Sequence, residues 1–429
     1  MMSKNLNKIV AFAIGVSVFT GSVVPAMAAD TKAVTSVTSS STTNKSKIYK
    51  VEDAVQDAVA NSDRLAILNS SLSVLDAQKD VYEEYDDMGQ DMDDKIDKVD
   101  IQISQAKQKR DFMQDNIKYN VTNDYNAIVL ANEKIALAEE NLKIKTDSYN
   151  QSKLKQQLGL STSVSLKSEE LELTKLKDDL EAQKKSVNDS IYKLGLTTGK
   201  DLSKAVFSNA IEYNKFTVDG SFEAYMEKSI KDIVRYDLDL IEISKDDLSD
   251  RKDDDEHKFP KQSDYLPDAK PEKPQKPQSG ASGDQAADYA DALESYKENL
   301  DKYNQSLTKY QNALTTYITY YSDKLANDQS VHTLNITEDA YRNAMKTNYT
   351  KLQGLEDSIK QAQTGLEILN ENVRNTKLQY DLGLVTKNQY DQIVYKQKET
   401  QVSLETAIDG YNQLKGMLEQ PWMMAVANG

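Results

Sequence analysis

The stretch KLKQQLGL (Lys153 to Leu160) has a counterpart in KLQYDLGL (Lys377 to Leu384), 224 positions further along the chain. The match extends without a gap over residues 125–194 and 349–418, which indicates an internal duplication. Each stretch places a glycine between two long patterns of helical period, and glycine readily ends a helix and reverses the chain. We therefore predict that each copy is a helical hairpin with this glycine near its bend. Other aligned pairs are Tyr125/Tyr349, Ile135/Ile359, Ala138/Ala362, Leu142/Leu366, Ile144/Ile368, Leu180/Leu404 and Leu194/Leu418.

A second repeated feature precedes each hairpin. The stretch IYKVEDAVQDAVANSDRLAIL (residues 48–68) has apolar residues at spacings of three and four, which predicts one amphipathic helix to about Tyr85. It recurs more loosely as SFEAYMEKSIKDIVRYDLDLIEI (residues 221–243). Further helices are predicted from about Ile96 to Gly159 and from about Val164 to Leu194. The order along the chain is therefore a leading helix and then a hairpin, twice.

This order, with a Gly-Leu pair at each bend, resembles the outer-membrane efflux (TolC) family over roughly residues 48–421. The resemblance implies an all-α fold of long antiparallel coiled-coil hairpins, which build a tunnel in a homotrimer. It also implies that an adaptor (membrane fusion) protein docks its own helical hairpin at the bends, and that an inner-membrane pump drives transport. The docking residues would be Leu158, Gly159, Leu160, Leu382, Gly383 and Leu384.

These six residues also have a simpler interpretation. A glycine at a tip lets two backbones approach closely, and exposed leucines offer apolar area to a partner. However, glycine also permits the turn itself, and the leucines could close the end of their own hairpin. The sequence leaves both interpretations open.

The family's membrane barrel has no counterpart at the two junctions between leading helix and hairpin. A lipid-facing strand needs about ten residues that alternate in polarity. Residues 82–100 read YEEYDDMGQDMDDKIDKVD, and residues 246–284 are acidic and then rich in proline. Burying such charges in hydrocarbon would cost roughly 2 to 4 kcal/mol each. We therefore expect little or no β-barrel and no direct membrane insertion, which departs from the family's outer-membrane location.

The second half carries an excess of 53 residues between its leading helix and its hairpin. Prolines and glycines at residues 253–284 exclude a helix there, so we expect an extended or disordered segment.

After this segment, tyrosines recur every seven residues, with leucines displaced by four, which indicates a coiled-coil seam. An aromatic surface that binds peptidoglycan or sugar is the alternative, but the spacing favours packing. The seam residues are Tyr289, Leu293, Tyr296, Leu300, Tyr303, Leu307, Tyr310, Leu314 and Tyr317.

The N-terminal residues predict export. Lys4 and Lys8 precede an apolar stretch, and Ala26-Met27-Ala28 offers a signal-peptide cleavage site, so the mature chain belongs in the cell envelope or outside the cell. No cysteine is present, which excludes disulfides and a lipid-modified cysteine. The predicted divisions are a signal peptide (1–28), a Ser/Thr-rich spacer (29–47), a first repeat (48–217), a second leading helix (218–252), a disordered insertion (253–285), a second hairpin (286–421) and a tail (422–429).

Composition and motifs argue against nucleic-acid binding, catalysis and metal binding. The net charge of −16 would repel phosphate backbones. No nucleophile elbow, phosphate-binding glycine loop or HExxH motif occurs, so we expect no enzyme and no cofactor. Asp91 and Asp93 begin like a calcium loop, but Lys95 occupies the third ligand position, so solvated charge is the better interpretation. His257 and His332 lack a second ligand at metal spacing.

The function expected from these features is that of an exported conduit component of an efflux or secretion assembly. The alternative is an extracellular coiled-coil structural or scaffolding protein of the cell envelope with no transport role. The Gly-Leu bends favour the conduit, and the missing barrel strands favour the scaffold.

Overall fold

The structure is a computed structural model that describes residues 48–160, 162–267, 269–277 and 283–424. Long helices dominate these residues, which confirms the predicted all-α class. The predicted signal peptide and spacer, and residues 425–429 of the predicted tail, lie outside the described residues. The elements are β1 (Ile48–Tyr49), α1 (Val51–Ala60), α2 (Asp63–Asp87), α3 (Asp93–Gln157), α4 (Ser163–Thr198), β2 (Val206–Phe207), α5 (Phe222–Asp253), α6 (Gly283–Asp381) and α7 (Lys387–Glu419), with short 3-10 turns at Gln262–Asp264 and Pro421–Met423.

The first leading helix differs from its prediction, because it is broken into α1 and α2 at Asn61 and Ser62. The Asn61 side chain donates hydrogen bonds to the carbonyl oxygens of Leu196 and Thr197 at the end of α4, at 3.2 and 3.1 Å. The Ser62 hydroxyl accepts a 3.3 Å hydrogen bond from the Leu65 N–H in the first turn of α2. Short polar side chains that bond to backbone compete with a continuous helix, and this explains the break.

The described chain separates into two compact units. The first unit contains residues 48–74, 106–233 and 337–424, which include both hairpin bends. The second unit contains residues 75–105 and 234–336, which include the junctions between leading helix and hairpin.

In the first unit, one core gathers around Tyr125 on α3. Its ring is fully buried and meets Phe207 edge-on, with 5.3 Å between ring centroids. Its hydroxyl donates to the carbonyl oxygen of Tyr49 and accepts a 3.1 Å hydrogen bond from the Ser208 N–H. Tyr49 and Phe207 lie opposite each other in the parallel pair of β1 and β2. Tyr125 therefore joins both short strands to α3. Other core members are Ala54, Ala58, Val121, Ile128, Val187 and Leu194.

A second core in the same unit gathers around Tyr411 on α7. Tyr411 is fully buried, and its hydroxyl accepts a 2.8 Å hydrogen bond from the Phe216 N–H and donates to Glu356 at 2.9 Å. The Phe222 and Tyr349 rings stack at 3.9 Å. In each core the hydroxyl of a buried tyrosine therefore bonds to backbone outside the helices. Tyr125 bonds to Tyr49 and Ser208, and Tyr411 bonds to Phe216. Other members are Met226, Ile230, Met345, Leu352, Ile359 and Leu418.

Polar contacts join α3 of the first half to α7 of the second half. Asn126 donates a 3.1 Å hydrogen bond to the buried carboxylate of Asp409, and Gln413 donates to the other oxygen of Asp409 at 2.8 Å. Nearer the bends, Lys398 pairs with Glu140 at 2.8 Å. A buried polar contact has few alternative partners, so it fixes the register of the two helices.

In the second unit, α2 and α3 are joined by a turn at Gly89, where the chain takes a φ of 83°. An ion pair between Lys79 and Asp100, at 2.7 Å, holds the two helices beside the turn. Residues 82–100, for which the sequence predicted no lipid-facing strand, therefore form the end of α2, this turn and the start of α3.

The Pro-rich segment of the second unit packs against α6. We call residues 257–267 and 269–277 the strap. The Phe259 ring meets Tyr317 at 5.4 Å, and the Tyr265 ring meets Tyr310 at 5.7 Å. Leu266 is buried. The sequence predicted an extended or disordered segment, and the described part has no α-helix or strand but contacts α6 through aromatic rings, which composition alone does not reveal.

All nine predicted seam residues lie on α6, and all nine are half-buried. At Tyr310 and Tyr317 the strap supplies ring contacts. The pairing of this face with a second helix stays a prediction. The residues are Tyr289, Leu293, Tyr296, Leu300, Tyr303, Leu307, Tyr310, Leu314 and Tyr317.

Candidate functional site: the two hairpin tips

The first tip is a Schellman turn at the end of α3. The Leu160 N–H donates a 2.8 Å hydrogen bond to the Lys155 carbonyl oxygen, and the Gly159 N–H donates a 3.0 Å hydrogen bond to the Gln156 carbonyl oxygen. Gly159 has a φ of 73°, in the left-handed region that glycine adopts without steric cost. These bonds satisfy carbonyl groups that the end of a helix otherwise leaves open.

The second tip repeats this geometry at the corresponding residues. The Leu384 N–H donates to the Gln379 carbonyl oxygen at 2.8 Å, and the Gly383 N–H donates to the Tyr380 carbonyl oxygen at 2.9 Å. Gly383 has a φ of 71°. Both Gly-Leu pairs therefore lie at a bend, and the two bends are built in the same way.

Each return helix begins with a threonine cap, which fixes the far side of the tip. Thr162 accepts a 3.2 Å hydrogen bond from the Ser165 N–H. Thr386 accepts a 3.3 Å bond from the Gln389 N–H, and the Gln389 side chain accepts a 2.9 Å bond from the Thr386 N–H. The second tip therefore has a complete capping box, whereas the first has half of one.

The tip leucines project away from their own hairpins. Leu158 and Leu160 are 66% and 74% exposed, and Leu382 and Leu384 are 66% and 71% exposed. In a Schellman turn the residue after the glycine often packs against a residue five or six positions earlier. Five positions earlier lie the polar Lys155 and Gln379, and six positions earlier lie Leu154 and Leu378, which are themselves exposed. The exposure of the tip leucines agrees with docking, which stays a prediction.

A third exposed leucine extends each tip, and the sequence analysis did not single it out. Leu154 is 58% exposed and Leu378 is 61% exposed. They occupy aligned positions in the two copies, so the repeat itself contained the signal. The space beside Gly159 and Gly383 is open, since no atom beyond the glycine and its two chain neighbours lies within 4 Å of the position that a Cβ would take. Each tip therefore offers three leucines around an uncovered glycine.

The two tips differ in one respect. Beside the second tip, the rings of Tyr380 and Tyr390 stack at 5.6 Å with an interplanar angle of 9°. The Lys377 ammonium lies 5.6 and 5.9 Å from the two ring centroids and donates a hydrogen bond to Asp381, which raises the pKa of Lys377. The positions aligned with the two tyrosines are Gln156 and Leu166, so the first tip lacks this aromatic clamp.

Two carboxyl groups face each other between α3 and α7, further from the tips. Burial raises the pKa of Glu133 to about 7, and hydrogen bonding and charge repulsion from Glu405 add to the shift. Gln401 donates a 2.6 Å hydrogen bond to Glu405. No sequence pattern indicated this pair, because its members lie in different halves and do not occupy aligned positions.

The acidic run that the sequence analysis assigned to solvated charge forms a small cluster. Ligand oxygens of Asp86, Asp91 and Asp93 lie within 4.8 Å of one another. Asp91 and Asp93 are exposed, and Asp86 accepts a 3.2 Å hydrogen bond from the Met92 N–H. The local turn explains this approach, so the cluster by itself does not define a metal site.

Solved structures with a similar architecture are known. No family model and no curated protein matches the chain. A structure of CusC, from work on folding and transmembrane channel formation, aligns with 88% of this chain and 92% of its own, at 13% identity and a TM-score of 0.50. The chain has the fold of this TolC-family channel.

Two further structures are similar over comparable lengths. The CmeC outer membrane channel of Campylobacter jejuni aligns with 87% of this chain and 85% of its own, at 11% identity and a TM-score of 0.49. The outer-membrane channel OprN aligns with 88% and 90%, at 11% identity and a TM-score of 0.45. Within the residues described for the present chain, no helix is both long enough and apolar enough to cross a membrane.

Proposed function

We propose that the chain is the conduit subunit of an export or efflux assembly, that three copies build the conduit, and that an adaptor protein docks at the hairpin tips. The likeness to CusC, a channel-forming protein, supports a conduit in general. In this mechanism the chain performs no chemistry, because its task is to enclose a path and to bind the neighbouring component.

The observation that carries the adaptor proposal is the duplication of the tip geometry. Both tips present three exposed leucines around a glycine with free space beside it. The hydrogen-bonded turn and the threonine cap hold the leucines in place before any partner arrives, which lowers the entropic cost of docking. A partner with apolar side chains at its own hairpin end would bury this surface, and the glycine would let its backbone approach closely.

Exposed apolar residues at heptad spacing support the oligomer. On α2, Ile67 and Val74 are 65% and 58% exposed, and on α4, Val164 and Leu171 are 75% and 58% exposed. Residues seven apart lie on one face of a helix, and a partner helix normally covers such a face. A second copy of the chain provides helices with matching periodicity.

The oligomer can be tested by light scattering on purified residues 29–429 without detergent. The proposal predicts three times the protomer mass, and the double variant Ile67→Asp/Val74→Asp should shift the protein toward the monomer. Ala66→Asp/Ser73→Asp is the matched control, since it adds the same two charges at the same spacing to exposed positions on a different face of the same helix. A monomer at high concentration for the unsubstituted protein would remove the tunnel and leave the scaffolding function as the better conclusion.

Adaptor docking can be tested with the double variant Leu158→Asp/Leu382→Asp in pull-downs from host membranes. The expected result is loss of a hairpin-containing membrane fusion protein that the unsubstituted chain retains. Leu196→Asp is the control, because this leucine is 61% exposed but lies at the opposite end of α4 from the tip. Equal retention by the tip and control variants would contradict docking at the tips.

A further inference from the structure

The strap has a burial pattern with a period of three residues. Pro271, Pro274 and Pro277 are half-buried, whereas the residues between them are exposed. This stretch contains no helix or strand. A polyproline II helix has about three residues per turn, so every third residue faces the same side. The three prolines therefore form one face, and the charged and amide side chains form the others.

The contacts of the strap fix its direction along α6. Phe259 meets Tyr317, and Tyr265, further along the strap, meets Tyr310, which is earlier in α6. The strap therefore runs antiparallel to the helix, so its continuation through Pro277 leads toward Tyr289.

The repeat lengths of the two elements agree. Three residues of polyproline II advance by about 9.3 Å, and seven residues of α-helix advance by about 10.5 Å. Pro271 lies six residues after Tyr265, so a strap that starts at the Tyr265–Tyr310 contact advances by two of these repeats before Pro271 and reaches Tyr296. The expected pairs are therefore Pro271 with Tyr296 and Pro274 with Tyr289. Half-burial of all four residues agrees with this register.

The base of the strap is held by a charged anchor. The Arg251 guanidinium pairs with Glu256 at 2.6 Å and with Asp323 on α6 at 2.8 Å. The Arg251 Cζ atom lies 5.7 Å from the centroid of the Tyr320 ring. Arg251 thereby connects the segment that enters the strap to the helix that the strap covers.

Charge also matches along the two elements. Residues 269–277 of the strap carry Lys270, Lys273 and Lys276, against a single acid at Glu272. The facing part of α6, residues 283–301, has six acidic residues and one lysine. These side chains are exposed, so screening keeps each attraction weak, but together they favour a basic Pro-rich segment over an acidic one.

We propose that the tyrosine face of α6, from Tyr289 to Tyr317, is a recognition surface for a basic Pro-x-x-Pro segment in the polyproline II conformation, and that the strap occupies it in cis. Tyrosine rings offer flat apolar faces to proline rings while their hydroxyls stay in water. The same surface accepts such a segment from another chain when the strap is withdrawn. This inference does not depend on the conduit function.

Occupancy in cis can be tested in the full chain by cysteine reactivity, because the sequence contains no cysteine. Pro274→Cys places a thiol on the face toward α6, and Gln275→Cys places one on the solvent face. The proposal predicts that a maleimide reacts several-fold more slowly at position 274, and that adding Tyr289→Ala brings the two rates together. Equal rates in the otherwise unsubstituted chain would overturn the proposal.

Recognition in trans can be tested with a fluorescent peptide of residues 254–277. Its anisotropy is measured with the full chain and with a full-chain variant in which Pro271, Pro274 and Pro277 are glycine. The variant should bind the peptide about tenfold more tightly than the unsubstituted chain, whose surface is occupied. Adding Tyr296→Ala should abolish binding, whereas Tyr192→Ala, at an exposed tyrosine of α4, should not.

Circular dichroism establishes that the glycine variant keeps the helix content of the unsubstituted chain. Failure of a folded variant to bind the peptide would overturn recognition in trans. Equal binding to the variant and to the unsubstituted chain would also overturn it, because the peptide would then bind elsewhere.

Discussion

The side chain of Asn126 on α3 donates a 3.1 Å hydrogen bond to the buried carboxylate of Asp409 on α7. Asn209 donates to the Asn126 side-chain oxygen at 2.7 Å, and Gln413 donates to the second oxygen of Asp409. Burial raises the pKa of Asp409, while the hydrogen bonds from Asn126 and Gln413 act in the opposite direction. The chain therefore holds its two halves in register with a polar contact inside an apolar bundle.

Replacement of Asn126 by alanine would remove a donor from this buried carboxylate. We expect the free energy of unfolding to fall by about 2–3 kcal/mol, because an unsatisfied buried charge keeps its desolvation penalty. Urea titration followed by circular dichroism measures the change. Asn120→Ala is the control, since Asn120 is exposed on the same helix and donates its hydrogen bond to Asn116. Similar losses in both variants would show that the buried contact has no special energetic role.

The carboxyl pair of Glu133 and Glu405 should make the stability of the folded chain depend on pH. The pKa of Glu133 is raised to about 7 in the folded chain, above its ordinary value of 4.5. Between these values the folded state binds more protons than the unfolded state, so stability falls as the pH rises from about 4.5 to 7. Glu133→Gln should therefore stabilise the protein at pH 8, by about 1–2 kcal/mol after allowance for solvent screening, and hardly at all at pH 4.

Thermal unfolding of the Glu133→Gln variant at the two pH values measures this difference. Glu181→Gln is the matched control, because Glu181 is an exposed carboxyl on α4 and a surface substitution usually changes stability by less than about 0.5 kcal/mol. An equal gain at pH 4 and pH 8 for Glu133→Gln would contradict the assignment of the raised pKa.

Alanine substitutions at two glycines should have opposite effects. Gly383→Ala places a side chain at a φ of 71° and should cost about 1 kcal/mol, although the surrounding space is open. Gly354→Ala adds a side chain inside α6, also in open space, and should stabilise by about 0.5–1 kcal/mol. Chemical denaturation of both variants tests the comparison. A gain at Gly383 would show that the bend does not require a left-handed residue.

The aromatic clamp should make the second tip open less often than the first. Tyr390→Ala removes the stack with Tyr380 and should cost about 0.5–1.5 kcal/mol of local stability. Amide hydrogen exchange around Leu384 should accelerate, while exchange around Leu160 stays unchanged. Leu166→Ala, at the aligned position of the first tip, is the control and should leave exchange at Leu384 unaffected. Unchanged exchange at Leu384 in Tyr390→Ala would mean that the turn and cap alone set its stability.

Sequence periodicity predicted the long helices and both bends, because glycine at a left-handed position and apolar residues at helical spacing are local requirements. It missed the break at Asn61, because the apolar spacing continues through a position where the side chain bonds to a distant helix end. Aligned residues of the two copies can also differ in burial, which the duplication in the sequence does not reveal. Ile144 is buried, whereas its aligned partner Ile368 is 57% exposed.

The tip candidates could be found from the repeat, but their exposure could not, since a leucine beside a turn can pack inward or outward. The segment that contacts the seam tyrosines could not be predicted from the sequence either. Composition excluded a helix for the strap, yet its contacts depend on where the chain returns along α6. Pairs such as Glu133 and Glu405 require three-dimensional proximity that no local pattern encodes.

The proline spacing of the strap has a consequence for resistance to proteases. Exposed segments without helix or strand are the usual sites of proteolytic nicking. Lys270, Lys273 and Lys276 would each be a cleavage point for trypsin-like enzymes, but each is followed directly by proline. Such enzymes cut poorly before proline, whose ring replaces the backbone N–H. The residues that face the tyrosines thus also protect the lysines beside them from digestion.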